Sequence, residues 1–301
     1  MPFLSDTEDF VLAMDMTGYG DGHFTDHDLD MLFDAGIRTL LVMDIDWNKL
    51  EPAKGKYDWS SLDAYMERAT RHGFKVLVEC YHDTIKWGSD HWYVWSVRGI
   101  QKNWISPFNR EGVEYMFGFY RKMKERYTTP TSLVINSWAM EGEFLLPDCQ
   151  IRDGAGQYQL PDREIHEMFT WMMVEQTRIL GDNPWNDVWL MLHPHHVPDE
   201  WLEEIIAKYA GLGYNVNWLL YTWKTWVPIW PFMDMLRDKY HLNMFGGAEW
   251  AEGIVDTTSH ALVHGLRGLL CGPCHPFLPY KQVEPWMVSE IQKSITMFQG
   301  R

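Results

Sequence analysis

The 301-residue chain has no apolar run approaching the roughly 20 residues that cross a bilayer. Its first residues, MPFLSDTEDF, have neither the basic start nor the apolar stretch of a signal peptide. The chain is therefore expected to be soluble: cytoplasmic, or secreted with a leader already removed. Positive charge is scarce: 26 Lys and Arg stand against 42 Asp and Glu, for a net charge of −16 and a pI near 5.2. Such a surface repels phosphate backbones and anionic bilayers, so neither nucleic acid nor a membrane is an expected partner. Cysteine is scarce too. Cys80, Cys149, Cys271 and Cys274 are too few and too scattered for a disulfide framework. Cys271-Gly-Pro-Cys274 has CxxC spacing without a second pair, which favours buried thiols or a turn over zinc or redox chemistry. Linkers, repeats and low-complexity stretches are lacking, so residues 1–301 read as one domain.

Aromatic residues are abundant, at 15% with 17 Trp. Short apolar runs alternate with amphipathic stretches about eight times along the chain. Strands are expected at 10–14, 37–43, 74–78, 133–135, 188–192, 216–220, 242–248 and 266–271. Helices fall between them, the first N-capped by Thr25 and another closed by Gly73. This alternation, at a length near the roughly 250 residues typical of the class, predicts an α/β fold: a single (β/α)₈ TIM barrel. A Trp-rich segment carrying Trp87, Trp92, Trp95 and Trp104, and a polar one from Asp148 to Gln157, read as irregular loops.

Polar residues collect where the apolar runs stop. Asp15, Asp44, His82, His193, Tyr221 and Glu249 each follow the last apolar residues of a predicted strand. The fourth strand leads through Trp138 to Glu141 and Glu143. In a parallel barrel these positions share the C-terminal rim, the active face. Trp87, Trp92, Trp95, Trp104, Trp223, Trp226 and Trp250 are candidate platforms for the C–H faces of sugars. His193-Pro-His195-His196, with Asp15, Asp44, His82 and His275, permits a rival reading as a metal-dependent hydrolase. A His-x-His is an incomplete ligand set, so no metal and no cofactor is expected.

From Gly36 to Asp63 the sequence places Asp44 and Trp47, then Leu50-Glu51-Pro52, Gly55-Lys-Tyr57-Asp58 and Leu62-Asp63. This run resembles the clan of retaining (β/α)₈ glycoside hydrolases, nearest its bacterial β-galactosidase-like members. The resemblance implies an acid/base Glu five residues after a Trp at the end of the fourth strand. That selects Glu143, which follows Trp138 at that spacing and precedes Phe144, over Glu141. It also implies a nucleophilic Glu at the end of the seventh strand, where Glu249 stands with Glu252 as the fallback. Three positions depart from the family pattern. Gly142 replaces the Asn that meets the sugar 2-hydroxyl, Leu41 replaces an Arg, and the eighth strand runs into Cys271-Gly-Pro-Cys274-His275 where a Trp is usual. The additional C-terminal domains of larger β-galactosidases are not in this sequence.

Retaining cleavage needs one carboxyl as proton donor and one as nucleophile, about 5–5.5 Å apart. The expected function is hydrolysis of β-linked glycosides by double displacement, with Glu143 as acid/base, Glu249 as nucleophile and Tyr221 hydrogen-bonded to Glu249. Asp15, Asp44, Trp47, His82, Trp138, Glu141, His193, His195, Tyr221, Trp223, Trp250 and His275 are expected to hold the carbohydrate. The replaced Asn suggests either a sugar modified at C2, such as a 2-acetamido sugar, or a substitute contact from Glu141 or Asn136. A non-catalytic carbohydrate-binding barrel is the alternative, disfavoured by the intact pair of Glu.

Overall fold

The computed structural model describes residues 3–4, 11–15, 25–42, 45–80, 85–89, 92–96, 101–136, 149–152, 157–158, 162–192, 199–221, 230–248, 254–271 and 282–299. The chain begins with β1 (Val11–Asp15), α1 (Asp26–Ala35), β2 (Thr39–Val42), the one-turn α2 (Trp47–Leu50), α3 (Ser60–Arg71) and β3 (Lys75–Glu79). Then come β4 (Tyr93–Ser96), β5 (Gln101–Ile105), α4 (Arg110–Tyr127), β6 (Ser132–Ile135), β7 (Cys149–Arg152), β8 (Gln157–Tyr158) and α5 (Asp162–Gly181). The second half holds β9 (Asp187–Leu192), α6 (Asp199–Ala210), β10 (Asn215–Tyr221), α7 (Trp230–Tyr240), β11 (Asn243–Ala248), α8 (Ile254–Val263), β12 (Gly268–Cys271) and α9 (Pro285–Gln299). No described helix is long and apolar enough to cross a membrane.

Eight strands form one sheet in the order β6-β3-β2-β1-β12-β11-β10-β9, and every pair in it is parallel. Each crossover between consecutive strands of this sheet contains a helix, as parallel pairing requires. Residues of β6 and β9, the two ends of the order, come within 8 Å of each other. Among the described residues no backbone ladder joins those two strands, so the cylinder is partial there. This is the predicted α/β barrel, with each predicted strand found to within a few residues.

Among the described side chains the strands alternate between two cores. Leu41 pairs with Leu77, and Leu77 with Leu133. These three share the inner cluster with Ile135, Trp189, Leu219, Phe245 and Leu270. Their neighbours Leu40, Val42, Val76, Val78 and Val134 belong to the outer cluster, against the helices. Burying each such side chain stabilises by about 2 kcal/mol before the cost of ordering it.

The inner cluster is stoppered from the N-terminal side by Phe3 and Leu4, which join it with 2% and 7% exposure. Phe3 packs edge-on to Trp185 at 4.9 Å, its N–H donates to Asp187 Oδ2 at 3.1 Å, and Lys75 Nζ donates to its carbonyl at 2.7 Å. Asp187 also accepts from Asn215 Nδ2 at 2.7 Å and Asn217 Nδ2 at 2.5 Å. Burial raises the Asp187 pKa, against these donors, which lower it.

The first helix begins as its sequence predicts. Thr25 and Asp28 form a reciprocal capping box, with Thr25 N–H donating to Asp28 Oδ2 at 2.6 Å and Asp28 N–H donating to Thr25 Oγ1 at 3.3 Å. The other carboxylate oxygen of Asp28 accepts from Val283 N–H at 2.9 Å, joining this helix to the segment that enters α9.

One difference from the sequence reading is a second sheet. The Trp-rich and polar segments are not wholly irregular: β5, β4, β7 and β8 pair antiparallel in that order. Both pieces leave from the C-terminal ends of neighbouring barrel strands, β3 and β6. Each strand is short, and the two hairpins join only through β4 and β7 from different excursions, so single-segment periodicity did not reveal the sheet.

On the outer layer, α5 meets α6 through His166, stacked on Trp201 at 4.5 Å. His166 is 1% exposed and burial, the largest cause, pushes its pKa down to about 4. The folded chain therefore favours neutral imidazole, while the unfolded chain binds a proton near the ordinary 6.5. Stability is expected to be unaffected above that value and to fall as pH drops from 6.5 toward 4, by about 3 kcal/mol at most. His166→Phe should flatten this part of the pH–stability curve in urea melts. An unchanged curve would contradict the assignment.

Candidate active site

Parallel pairing places the C-terminal ends of all eight barrel strands on one rim. Asp15 closes β1 and its backbone pairs with Leu41. Tyr221 closes β10 and pairs with Gly247, one residue before Ala248 ends β11. Glu249 is the next residue in the chain after Ala248, and His193 the next after Leu192, which ends β9. The catalytic candidates Glu143 and Glu249, the fallback Glu252, and the contact candidates Asp44, His82, Trp138, Glu141, His193, His195, Trp223, Trp250 and His275 lie outside the described residues.

Three expected contacts are corrected. Trp47 is fully buried, stacked on Phe119 at 4.4 Å, with its Nε1–H donating to Glu51 Oε2 at 2.8 Å. Its ring face is spent on packing and is not available to a sugar. Trp92, 2% exposed, packs edge-on to Trp87 at 5.9 Å and against Tyr115 at 5.6 Å. It leads into β4 and packs against α4 through Tyr115, while the Ser106 N–H just past β5 donates to the Trp92 carbonyl at 2.6 Å. Asn136, one residue past β6, is buried and its Nδ2 reaches Thr177 Oγ1 at 3.3 Å and Gln176 Oε1 at 3.4 Å on α5. Facing the helix layer, it is not placed to substitute for the missing Asn. Trp87 is half-buried, with its Nε1–H donating to the Glu51 carbonyl at 2.8 Å.

These contacts converge on Glu51, a fully buried carboxylate that the sequence offered only as part of a motif. Besides Trp47, Glu51 accepts from Gly55 N–H at 2.6 Å and from the Tyr115 hydroxyl. Gly55 N–H also donates to that hydroxyl oxygen at 3.1 Å. Gly55 has φ +74° with open space around it, so backbone conformation and not crowding selects glycine in Gly-x-Tyr-Asp. Burial, followed by its bond to Glu51, pushes the Tyr115 phenol up to about 12. Burial and the Glu51 charge likewise push Tyr57 far above its usual range. Both phenols stay protonated, and Tyr115 remains a donor. The hub ties the segment after β2, the segment after β3 and α4 together beneath the rim.

Sequence reasoning also passed over Glu79. It is the last residue of β3, 1% exposed, and pairs with Ile135 of β6. Ending the predicted strand at Val78 hid it. The alternation Lys75, Leu77, Glu79 would have assigned it to the inner face.

The fold is that of the (β/α)₈ glycoside hydrolases. Residues 20–84 match the family model described as Glyco_hydro_42, Beta-galactosidase, a span that contains the whole Gly36–Asp63 resemblance. The catalytic domain of a β-amylase from Paenibacillus polymyxa superposes with a TM-score of 0.69 at 11% identity, covering 97% of this chain and 99% of that one. A cold-adapted β-galactosidase from Rahnella sp. R3 superposes at 0.68 with 13% identity, over 100% of this chain and 57% of that one. A β-galactosidase from the psychrophilic Marinomonas ef1 gives 0.66 at 12% identity, over 96% and 60%. The chain thus spans somewhat over half the length of these β-galactosidases and nearly all of the amylase domain. No curated protein sequence matches it.

Replacing Tyr115 by Phe removes a donor from the buried Glu51 carboxylate and an acceptor from Gly55. Tyr115→Phe is expected to cost about 2 kcal/mol, read from the urea midpoint. A midpoint equal to wild type would show that Glu51 is satisfied without it.

Proposed function

We propose that the chain is a retaining β-glycosidase of β-galactosidase type. The observation that carries this is the register of β10 and β11: Tyr221 pairs with Gly247, and Glu249 follows two residues later. Such a position suits a carboxylate mounted on the rim with a phenol from the neighbouring strand to orient it. The family-model match over residues 20–84 and the barrel fold support the same chemistry.

In this reading Glu249 attacks the anomeric carbon as Glu143 protonates the leaving oxygen. A covalent glycosyl-enzyme forms, with one inversion. Glu143, now ionised, takes a proton from water, which attacks the same carbon and inverts it again. Two inversions give net retention. A carboxyl flanked by negative charge and removed from water stays protonated at higher pH, which lets two Glu divide the roles. The substrate is a carbohydrate with a β-linked sugar, and the sequence has Gly142 where the family has the Asn for the sugar 2-hydroxyl. No cofactor takes part in this scheme.

The test is hydrolysis of aryl β-glycosides by wild type, Glu143→Ala and Glu249→Ala, with and without azide. Each variant is expected to lose at least about a thousandfold in kcat on unactivated substrates. Azide should rescue Glu143→Ala to a β-glycosyl azide and Glu249→Ala to an α-azide. Wild-type turnover by Glu249→Ala would overturn the assignment. Sugar binding without hydrolysis of any glycoside by wild type would instead favour the carbohydrate-binding barrel.

A further inference from the structure

We infer that an uncharged carbohydrate chain binds on the flank of the barrel, in the groove between α4 and α5, with Trp171 as its platform. The inference goes beyond the β-glycosidase reading and stands on the chemistry of the groove.

The groove follows from how the two helices pack. α4 ends at Tyr127, shortly before β6 begins, and α5 ends at Gly181, shortly before β9. The two helices pack together, and both run toward the N-terminal face of the barrel, away from the rim. On α5, Trp171, Glu175, Arg178 and Asp182 recur at spacings of four, three and four, which puts them on one face. Glu175, Arg178 and Asp182 line one wall of a cleft of about 410 Å³, and Phe117, Arg121 and Lys124 of α4 line the other. That volume lies within the roughly 300–1,000 Å³ of small-molecule sites. Lys124 Nζ donates to Asp182 Oδ2 at 3.0 Å, tying the helices at the end nearest the N-terminal face.

Trp171 stands at the other end of this face. Among the described residues the exposed large apolar side chains are Trp171, Met235 and Val263, and of these only Trp171 is aromatic, at 44% exposure. Its ring centroid lies 6.4 Å from that of Phe117, which is buried and lines the cleft. An indole held open beside such a cleft offers a flat apolar surface to the C–H face of a sugar ring. Gly118 adds a second observation. It lies inside α4, next to Phe117 and three residues before Arg121, and a Cβ there would meet nothing within 4 Å. Glycine in a helix interior is destabilising relative to alanine, and packing does not select it here. The bare backbone leaves the α4 wall open beside Phe117, where a ring resting on Trp171 would extend.

The polar lining decides the class of ligand. Three cations, Arg121, Lys124 and Arg178, are matched by three carboxylates, Glu125, Glu175 and Asp182. Arg178 pairs with Glu175 as Lys124 does with Asp182. An anion would meet the three carboxylates on a chain of net charge −16, and a cation would meet the three basic groups. A hydroxyl accepts from guanidinium and ammonium groups and donates to carboxylates, so a neutral polyol uses both signs at once. An aromatic face beside such a lining is the chemistry that recognises a sugar.

The experiment is native affinity electrophoresis of the full chain in gels with and without β-1,4-galactan, an uncharged β-linked probe. It compares wild type with Trp171→Ala and Gly118→Gln, the second of which fills the open space without removing a side chain. Wild type should be retarded by the galactan. Each variant should lose at least about 10-fold in apparent affinity and keep a Tm within about 2 °C of wild type or above it. A wild type that runs unretarded, or either variant retarded as strongly as wild type, would overturn the proposal. Sedimentation showing a wild-type dimer that Trp171→Ala dissolves would overturn it too, by placing a second copy of the chain on this face. Glycoside hydrolysis is scored separately: its absence, with Trp171-dependent retardation intact, would contradict the β-glycosidase reading and support the flank site.

Discussion

Everything in this molecule depends on the in-register parallel pairing of eight strands. Each strand between β6 and β9 in the sheet order gives both sides of its backbone to neighbours, and each successive side chain must then enter one of two cores. Leu41, Leu77 and Leu133 fill the inside at the same height because their strands are paired at those residues. The same register forces every strand to end on one side. A chain with chemistry at its strand ends therefore assembles a site without any contact between those residues being encoded locally.

Buried polar groups divide by their place along that axis. At the N-terminal end Asp187 holds Phe3 and two asparagines, and its work is to seal the barrel. On the flank Glu51 holds three segments together through Trp47, Gly55 and Tyr115. Its carboxylate is fully occupied by the fold.

The barrel was legible because its signal is distributed. Short apolar runs, an N-cap at Thr25 and a glycine at Gly73 repeat the same message along the chain, and an error of two residues at one strand end does not alter it. Residue roles were less legible, since the sequence does not say which way a rim-proximal side chain turns. Trp47 read as a carbohydrate contact and Trp92 as a sugar platform, yet aromatic packing with Phe119 and Tyr115 consumes them. Asn136 looked free to replace the missing Asn, but it falls on the outward phase and bonds α5. The second sheet stayed hidden because its two short hairpins meet only through strands far apart in the chain, as Val94 with Ile151. The carboxylates Glu143 and Glu249 rest on the resemblance and on their position in the chain.

The central claim is a covalent intermediate on Glu249. The direct measurement is mass spectrometry of the protein after incubation with an activated 2-deoxy-2-fluoro β-glycoside, which slows breakdown of that intermediate. The account predicts a mass increase of one fluoroglycosyl unit and a labelled proteolytic peptide containing Glu249. Hydrolysis of β-glycosides with no label, or a label on a peptide that excludes Glu249, would contradict it.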